Sequence, residues 1–124
     1  MIRTLATGVA LTVLAASLPA QAQQAAYSGT TMGTKGGPDG SSKCSTYKMD
    51  IDVTVDGTAV KALFQQQGRD QRHFEATVGA GGAFKTKAVV GGGNSMDVSG
   101  TIGDKDGRVL LDGYCKFDFK LTRK

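Results

Sequence analysis

Asp104 and Asp106 flank Lys105 in the stretch GDKDG, Gly103 to Gly107. Closely spaced carboxylates beside a glycine are what a calcium loop uses. An EF-hand-type loop needs about five or six protein oxygens and a bidentate Glu at its twelfth position. Counted from Asp104, that position is Cys115, and Lys105 places a positive charge among the ligands. Asp at the start and Gly at the end suit a type I turn instead. With Ile102 opposite Val109 and Gly103 opposite Arg108, DKDG becomes a four-residue hairpin loop. The expectation is a corner, not a metal site.

His73 is the only histidine. In DQRHFEA it alternates with Phe74, so it points outward beside Arg72 and Glu75. A serine-hydrolase triad would bring it to a serine and an acid, and no GxSxG segment supports one. Asp50 and Asp52 share a strand face, about 7 Å apart by strand rise. Such a pair suits acid/base work if it is buried in a cleft, which is the condition for a small hydrolase. Lys48 lies beside Asp50, and Lys61 is near in the adjacent strand, so cross-strand charge pairing is the simpler account. Lys85 and Lys87 stand in the same relation to Glu75 and Asp97. A base, a nucleophile and an oxyanion site do not occur together. The sequence therefore predicts no catalytic, cofactor or metal residue, and a protein that is not an enzyme.

Two cysteines remain, Cys44 and Cys115. Their chemistry depends on destination. The N-terminus MIRTLATGVALTVLAASLPAQAQQ has one positive charge, Arg3, then an uncharged apolar run over residues 5–18, then the small-residue motif AQA. This is the pattern of a secretory signal peptide, residues 1–22, cleaved between Ala22 and Gln23. The run falls short of the roughly 18 to 20 apolar residues that a spanning helix needs. No cysteine follows the cleavage position to take a lipid. A periplasmic or secreted destination makes one disulfide, Cys44 to Cys115, the expected state. It would close a loop of 71 residues, worth about 4 kcal/mol in the chain-entropy model. With one histidine and a disulfide, no zinc set is left.

Cleavage shortens the 124 residues to 102 and removes Arg3, leaving 14 basic against 11 acidic residues and a charge of +3. That length suits a single domain, residues 23–124. The bases are scattered among acids, not gathered into a patch with aromatics, which argues against nucleic acid. The mature chain holds no membrane span, and the expected state is a monomer.

The elements that position these residues are strands. In YKMDIDVTV, Tyr47, Met49, Ile51, Val53 and Val55 share one face and Lys48, Asp50, Asp52 and Thr54 the other. That period of two marks a half-buried strand. The same alternation makes Val60, Ala62, Phe64, Phe74, Ala76 and Val78 inward candidates. Phe84, Ala88, Val90, Met96, Val98 and Ile102 follow, then Val109, Leu111, Cys115, Phe117, Phe119 and Leu121. Phe64, Phe74 and Phe84 recur every ten residues, one strand plus one turn. Segment 59–67 suits a helix by composition, but its neighbour needs a strand partner.

Each turn returns the chain with its apolar face inward, as it must where one face is buried. Val55 can pair with Thr58 or Val60, Val78 with Phe84 (setting Glu75 against Lys87), Val90 with Met96, and Leu111 with Cys115. A first strand around Tyr27 to Lys35, with Tyr27 and Met32 on opposite parities, brings the count to about eight. The fold class is all-β: an antiparallel meander closing first strand to last into a small barrel. Cys44 and Cys115 then fall at one end.

The export signal, the opening YSGT, a Cys before the first long strand, glycine-rich hairpins and the final DGYCKFDFKL resemble small exported bacterial β-barrel proteins, many without assigned function. The outline is also similar to the lipocalin and avidin barrels and to periplasmic C-type lysozyme inhibitors. The resemblance covers most of residues 26–124 and is one of rhythm. SGTTM has no tryptophan where a lipocalin-like opening has GxW, no serine-rich inhibitory loop is evident, and no functional residue carries over.

Two polar connections, GTKGGPDGSSK (Gly33 to Lys43) and QQQGRDQR (Gln65 to Arg72), leave odd-numbered strands and so share the disulfide end. Function in barrels concentrates in such loops, which makes Lys35, Lys43, Gln67, Arg69 and Arg72 the candidate binding residues. The expectation is a non-enzymatic exported protein that binds a protein, glycan or small apolar ligand there. The alternative is a lysozyme-inhibitor-like envelope defence protein that inserts a basic loop into an enzyme cleft. Small inward residues (Ala62, Ala76, Ala88, Gly100) either leave an apolar cavity or fit the taper of a filled barrel. A cavity of at least about 300 Å³ would favour ligand carriage.

Overall fold

The computed structural model describes residues 24–37 and 40–124. The expected signal peptide, residues 1–22, and its expected cleavage position at Ala22 and Gln23 lie outside the described residues, as do Pro38 and Asp39. Among the described residues the strands are β1 (Gln24–Met32), β2 (Thr34–Lys35), β3 (Lys48–Asp56), β4 (Ala59–Gln66), β5 (Arg72–Thr77), β6 (Ala83–Val89), β7 (Ser95–Ile102), β8 (Asp106–Asp112) and β9 (Cys115–Arg123). All pairings are antiparallel. The order β5-β4-β3-β1-β9-β8-β7-β6 makes a nearly closed barrel. Segment 59–66 is a strand, as its neighbour requires. No helix among the described residues is long and apolar enough to cross a membrane.

First strand meets last, as the meander demands: β1 lies between β3 and β9. β1 and β2 are one strand interrupted at Gly33, both holding the same register on β9, from Tyr27 opposite Arg123 to Lys35 opposite Cys115. Only glycine fits at the break. A Cβ on Gly33 would lie 2.5 Å from the Cys44 carbonyl oxygen and 2.9 Å from the Phe117 ring. The conflicting parities of this strand resolve simply, since Tyr27 points inward and Met32 is 47% exposed.

The barrel is open along β5 and β6. The expected hairpin ladder, with Glu75 across from Lys87, does not form; only the Gly79 N–H reaches the Ala83 carbonyl, at 2.8 Å. The turn Ala80–Gly82 folds back onto the end of β7, where a Cβ on Gly82 would meet the Ile102 carbonyl at 2.3 Å. β6 thereby leaves the edge of β5. Side chains close what the backbone does not: Phe64, Phe74 and Phe84 form a row with centroids 6.2 and 6.1 Å apart, and the Phe74–Phe84 stack spans the seam. Offset aromatic pairs at such distances add to their burial.

Three other expected registers are each off by two residues. Ala88, not Val90, faces Met96. Leu111 faces Phe117, not Cys115. Ile102 faces Gly107, not Val109, so the Asp104–Lys105 loop is two residues long and Asp106 begins β8. In each case a glycine-containing turn closes at a different point than expected: Val90 N–H to Asn94 O, Gly113 N–H to Cys115 O, and Gly103 N–H to Asp106 O. A shift of two leaves every side chain on its own face. Val55 pairs with Val60, one of the two expected registers.

Every expected inward residue is buried or packed on the core, and among the described residues no polar or charged one is buried. Ile51, Val53, Val98, Val109 and Phe119, each at most 2% exposed, fill the waist. Gly100 leaves no void, because a Cβ there would lie 2.6 Å from the Phe84 ring. The small inward residues thus serve a filled barrel at this level.

Cys44 and Cys115 are bonded, with Cα atoms 5.5 Å apart. Cys44 sits in a short 3-10 turn, Ser42–Thr46, ahead of β3, and Cys115 opens β9 beside Lys35 of β2. The bridge clamps the end of the interrupted first strand.

Candidate functional site

Alternating strand direction brings the starts of β3, β5, β7 and β9 to the disulfide end, together with the ends of β4, β6 and β8. There the barrel opens as a cup of about 650 Å³, within the usual range for small-ligand sites of roughly 300–1,000 Å³. Its floor is apolar: Met49, Phe64, Met96 and Phe117, all inward residues and all buried. Its rim is polar and comes from the connections. Gln66, Arg69, Asp70 and Arg72 rise from the β4–β5 side, Asn94 and Ser95 from the β6–β7 turn, Tyr47 from the lead-in to β3 and Tyr114 from the β8–β9 turn.

The rim is held in place locally. Gly68, with φ of +84°, turns the chain after β4; such a conformation favours glycine. The Arg69 N–H donates to the Gln66 carbonyl at 2.9 Å, and Gln65 Nε2 donates to the Arg69 carbonyl at 2.7 Å. Arg72 opens β5 and is half-buried. Its Nη2 reaches the β6–β7 turn at Gly91, where an added Cβ would lie 3.3 Å away. Arg72 therefore spans the open seam.

Electrostatically the cup carries two guanidinium groups and one carboxylate, Asp70. Among the described residues neither guanidinium has an ion-pair or hydrogen-bond partner. An arginine offers five N–H donors and no acceptor, so both present unused donors above an apolar floor.

Of the residues singled out in the sequence, Arg69 and Arg72 line the cup. Gln67 is exposed on the same turn but does not line it. Lys35 is exposed on β2, and Lys43 is exposed in the 3-10 turn before β3. Gly36 of the glycine-rich connection lies instead against the β8–β9 turn, where it donates its N–H to the Tyr114 carbonyl at 3.2 Å. Sequence reasoning missed Tyr47, Tyr114, Gln66 and Asn94. Tyr114 was findable: it stands outside the alternation, in the tight turn DGYC that must lie at the disulfide end.

The remaining candidate chemistry is dispersed over the outer surface. His73 is exposed on β5 opposite Leu63. Asp50 accepts a hydrogen bond from Thr30 Oγ1 at 2.6 Å, and Asp52 pairs with Lys124 at 2.7 Å; both are exposed, outside any cleft. Lys87 pairs with Asp97 at 3.2 Å. Among the described residues no group of three or more His, Cys, Asp or Glu is gathered as a metal site would gather them.

Two other concavities differ from the cup. A trough of about 670 Å³ runs over the outer face of β6–β9; of its three charged residues, Arg108 and Asp118 bond each other at 3.0 Å and Lys85 stands apart from any ion pair among the described residues. A smaller recess of about 280 Å³ lies at the far end of the barrel. That end is tied across by Tyr27, whose hydroxyl donates to the Gly103 carbonyl at 2.7 Å, and by Arg123 Nη1, which donates to the Asp104 carbonyl at 2.9 Å. The sequence matches no protein-family model and none of the curated proteins, so the cup itself carries the functional reading.

Proposed function

We propose that this protein is an exported, non-enzymatic binding barrel that holds a small ligand in the cup at its disulfide-bonded end. The observation that carries the reading is the cup's construction: a filled waist beneath, apolar side chains as floor, and a polar rim with unpaired donors. Largely apolar pockets with a few convergent polar groups are how preformed small-molecule sites are built. The export-signal pattern and the clamp at the mouth support a role outside the cytoplasm, where a disulfide persists. A lipocalin- or avidin-like role, in outline, belongs to this reading.

The test is native mass spectrometry of the protein taken from its own cell envelope. The reading expects the processed chain plus a small molecule that is lost on denaturation. A bare chain would contradict carriage and move the function to protein partners. In that event the lysozyme-inhibitor-like role comes forward, because Arg69 projects from the same rim. Mixing the purified protein with lysozymes and measuring residual activity would decide that role.

A further inference from the structure

We infer that the ligand of this cup is an amphipathic anion: a flexible aliphatic chain ending in a carboxylate, with the chain on the floor and the carboxylate held by Arg72 with help from Arg69. The inference rests on the binding reading above and adds the chemistry of what is bound.

Three observations converge on it. The first is charge without partners. Arg72 is half-buried at the mouth and bonds no acid or carbonyl among the described residues. By contrast Arg108 and Arg123, at other places on the barrel, each bond an acceptor, Asp118 and the Asp104 carbonyl. The planar guanidinium fork matches a carboxylate in a way a lysine does not.

The second is the balance within the cup. Two arginines against Asp70 leave one net positive charge, which suits one anionic group and opposes a cationic one. The tyrosines Tyr47 and Tyr114 add hydroxyls at the same level. Among the described residues neither hydroxyl is committed to a bond, whereas that of Tyr27 at the other end is.

The third is the floor. Met49 and Met96 share it with Phe64 and Phe117. Unbranched thioethers adapt to irregular apolar shapes, which fits a flexible chain better than one rigid ring system. The floor holds no buried polar or charged residue. A polar tail or a second charge would lose its water there without compensation.

The experiment titrates octanoate, octanol and octylammonium, matched in chain and differing in head group, into the full processed protein. Calorimetry gives the affinities. The protein has no tryptophan and three tyrosines, so tyrosine fluorescence reports on Tyr47 and Tyr114 with Tyr27 as a distant reference. Octanoate is expected to bind about tenfold or more tighter than octanol, as a charge-assisted hydrogen bond would give, and octylammonium weakest of all. Arg72→Gln should weaken octanoate binding about tenfold and so remove its preference over octanol. Lys61→Gln, on the outer face, should change neither. Raising the salt should weaken octanoate binding alone, a readout that needs no variant to fold. Equal binding of all three, or a preference for the ammonium, overturns the anion and leaves the cup as a site. Octanoate binding insensitive to Arg72→Gln and to salt also overturns the inference. No binding of any of the three defeats both the inference and the cup reading for this ligand class.

Discussion

The two ends of this barrel are built from the same strands and finished differently. At the far end, Tyr27 and Arg123 use their polar atoms on carbonyls of the Gly103–Lys105 turn, and the recess is small. At the disulfide end, Arg69, Arg72, Tyr47 and Tyr114 stand around a larger cup with their side-chain donors uncommitted among the described residues. A fold that needed only to be closed would satisfy both ends in the same way, since an unpaired polar group that is half-buried, as Arg72 and Tyr47 are, costs stability. The contrast teaches that the covalent clamp and the free donors coincide for a reason. The bridge between Cys44 and Cys115 supplies at the open end the cohesion that hydrogen bonds supply at the closed one.

The contrast can be tested by substitution, beginning with the waist as a reference. Phe74→Ala removes the ring that stacks across the β5–β6 seam and should cost about 3–5 kcal/mol, the range for a buried Phe, in denaturant unfolding. A loss below about 1 kcal/mol would mean that the seam is not held by side chains. Cys44→Ala with Cys115→Ala should cost about 2–5 kcal/mol. The loosening should be lopsided: amide exchange should quicken around Met49 and Phe117 before it does at Tyr27 and Gly103. Uniform quickening would deny the bridge its local role.

At the closed end, Tyr27→Phe should cost about 1 kcal/mol, the worth of one neutral hydrogen bond, with ligand binding at the cup unchanged. Arg72→Gln is expected to change stability by no more than about 0.5 kcal/mol, because its guanidinium bonds nothing among the described residues. A large loss there would make Arg72 a structural clasp across the seam, and the two ends would then be alike.

How far the sequence foretold this depends on which physical constraint was in force. The inward face was legible from Tyr47 to Leu121 because a strand slipped by one residue would expose its whole apolar set. Registers were less so. Slips of two cost no burial, and runs such as Gly91–Gly93 offer several closures of similar merit, which is how Met96 came to face Ala88. The open seam was hidden for a related reason: the tight approach of Gly82 to the Ile102 carbonyl is a contact between distant segments. Arg69 and Arg72 stood out as the cations of a polar connection at the clamped end. Tyr47, Gln66 and Asn94 did not, since the cup joins four separate stretches of chain and no local pattern marks its edge.

The central claim is that the open end, not the closed one, receives the ligand. Amide chemical-shift mapping during an octanoate titration tests it most directly. The account predicts saturable shifts clustered at Met49, Gln66 to Arg72, Asn94 to Met96 and Tyr114 to Phe117, with Tyr27, Gly103 and Arg123 unmoved. Shifts centred on those last three residues, or spread over the outer face of β6–β9 with the cup silent, would contradict it.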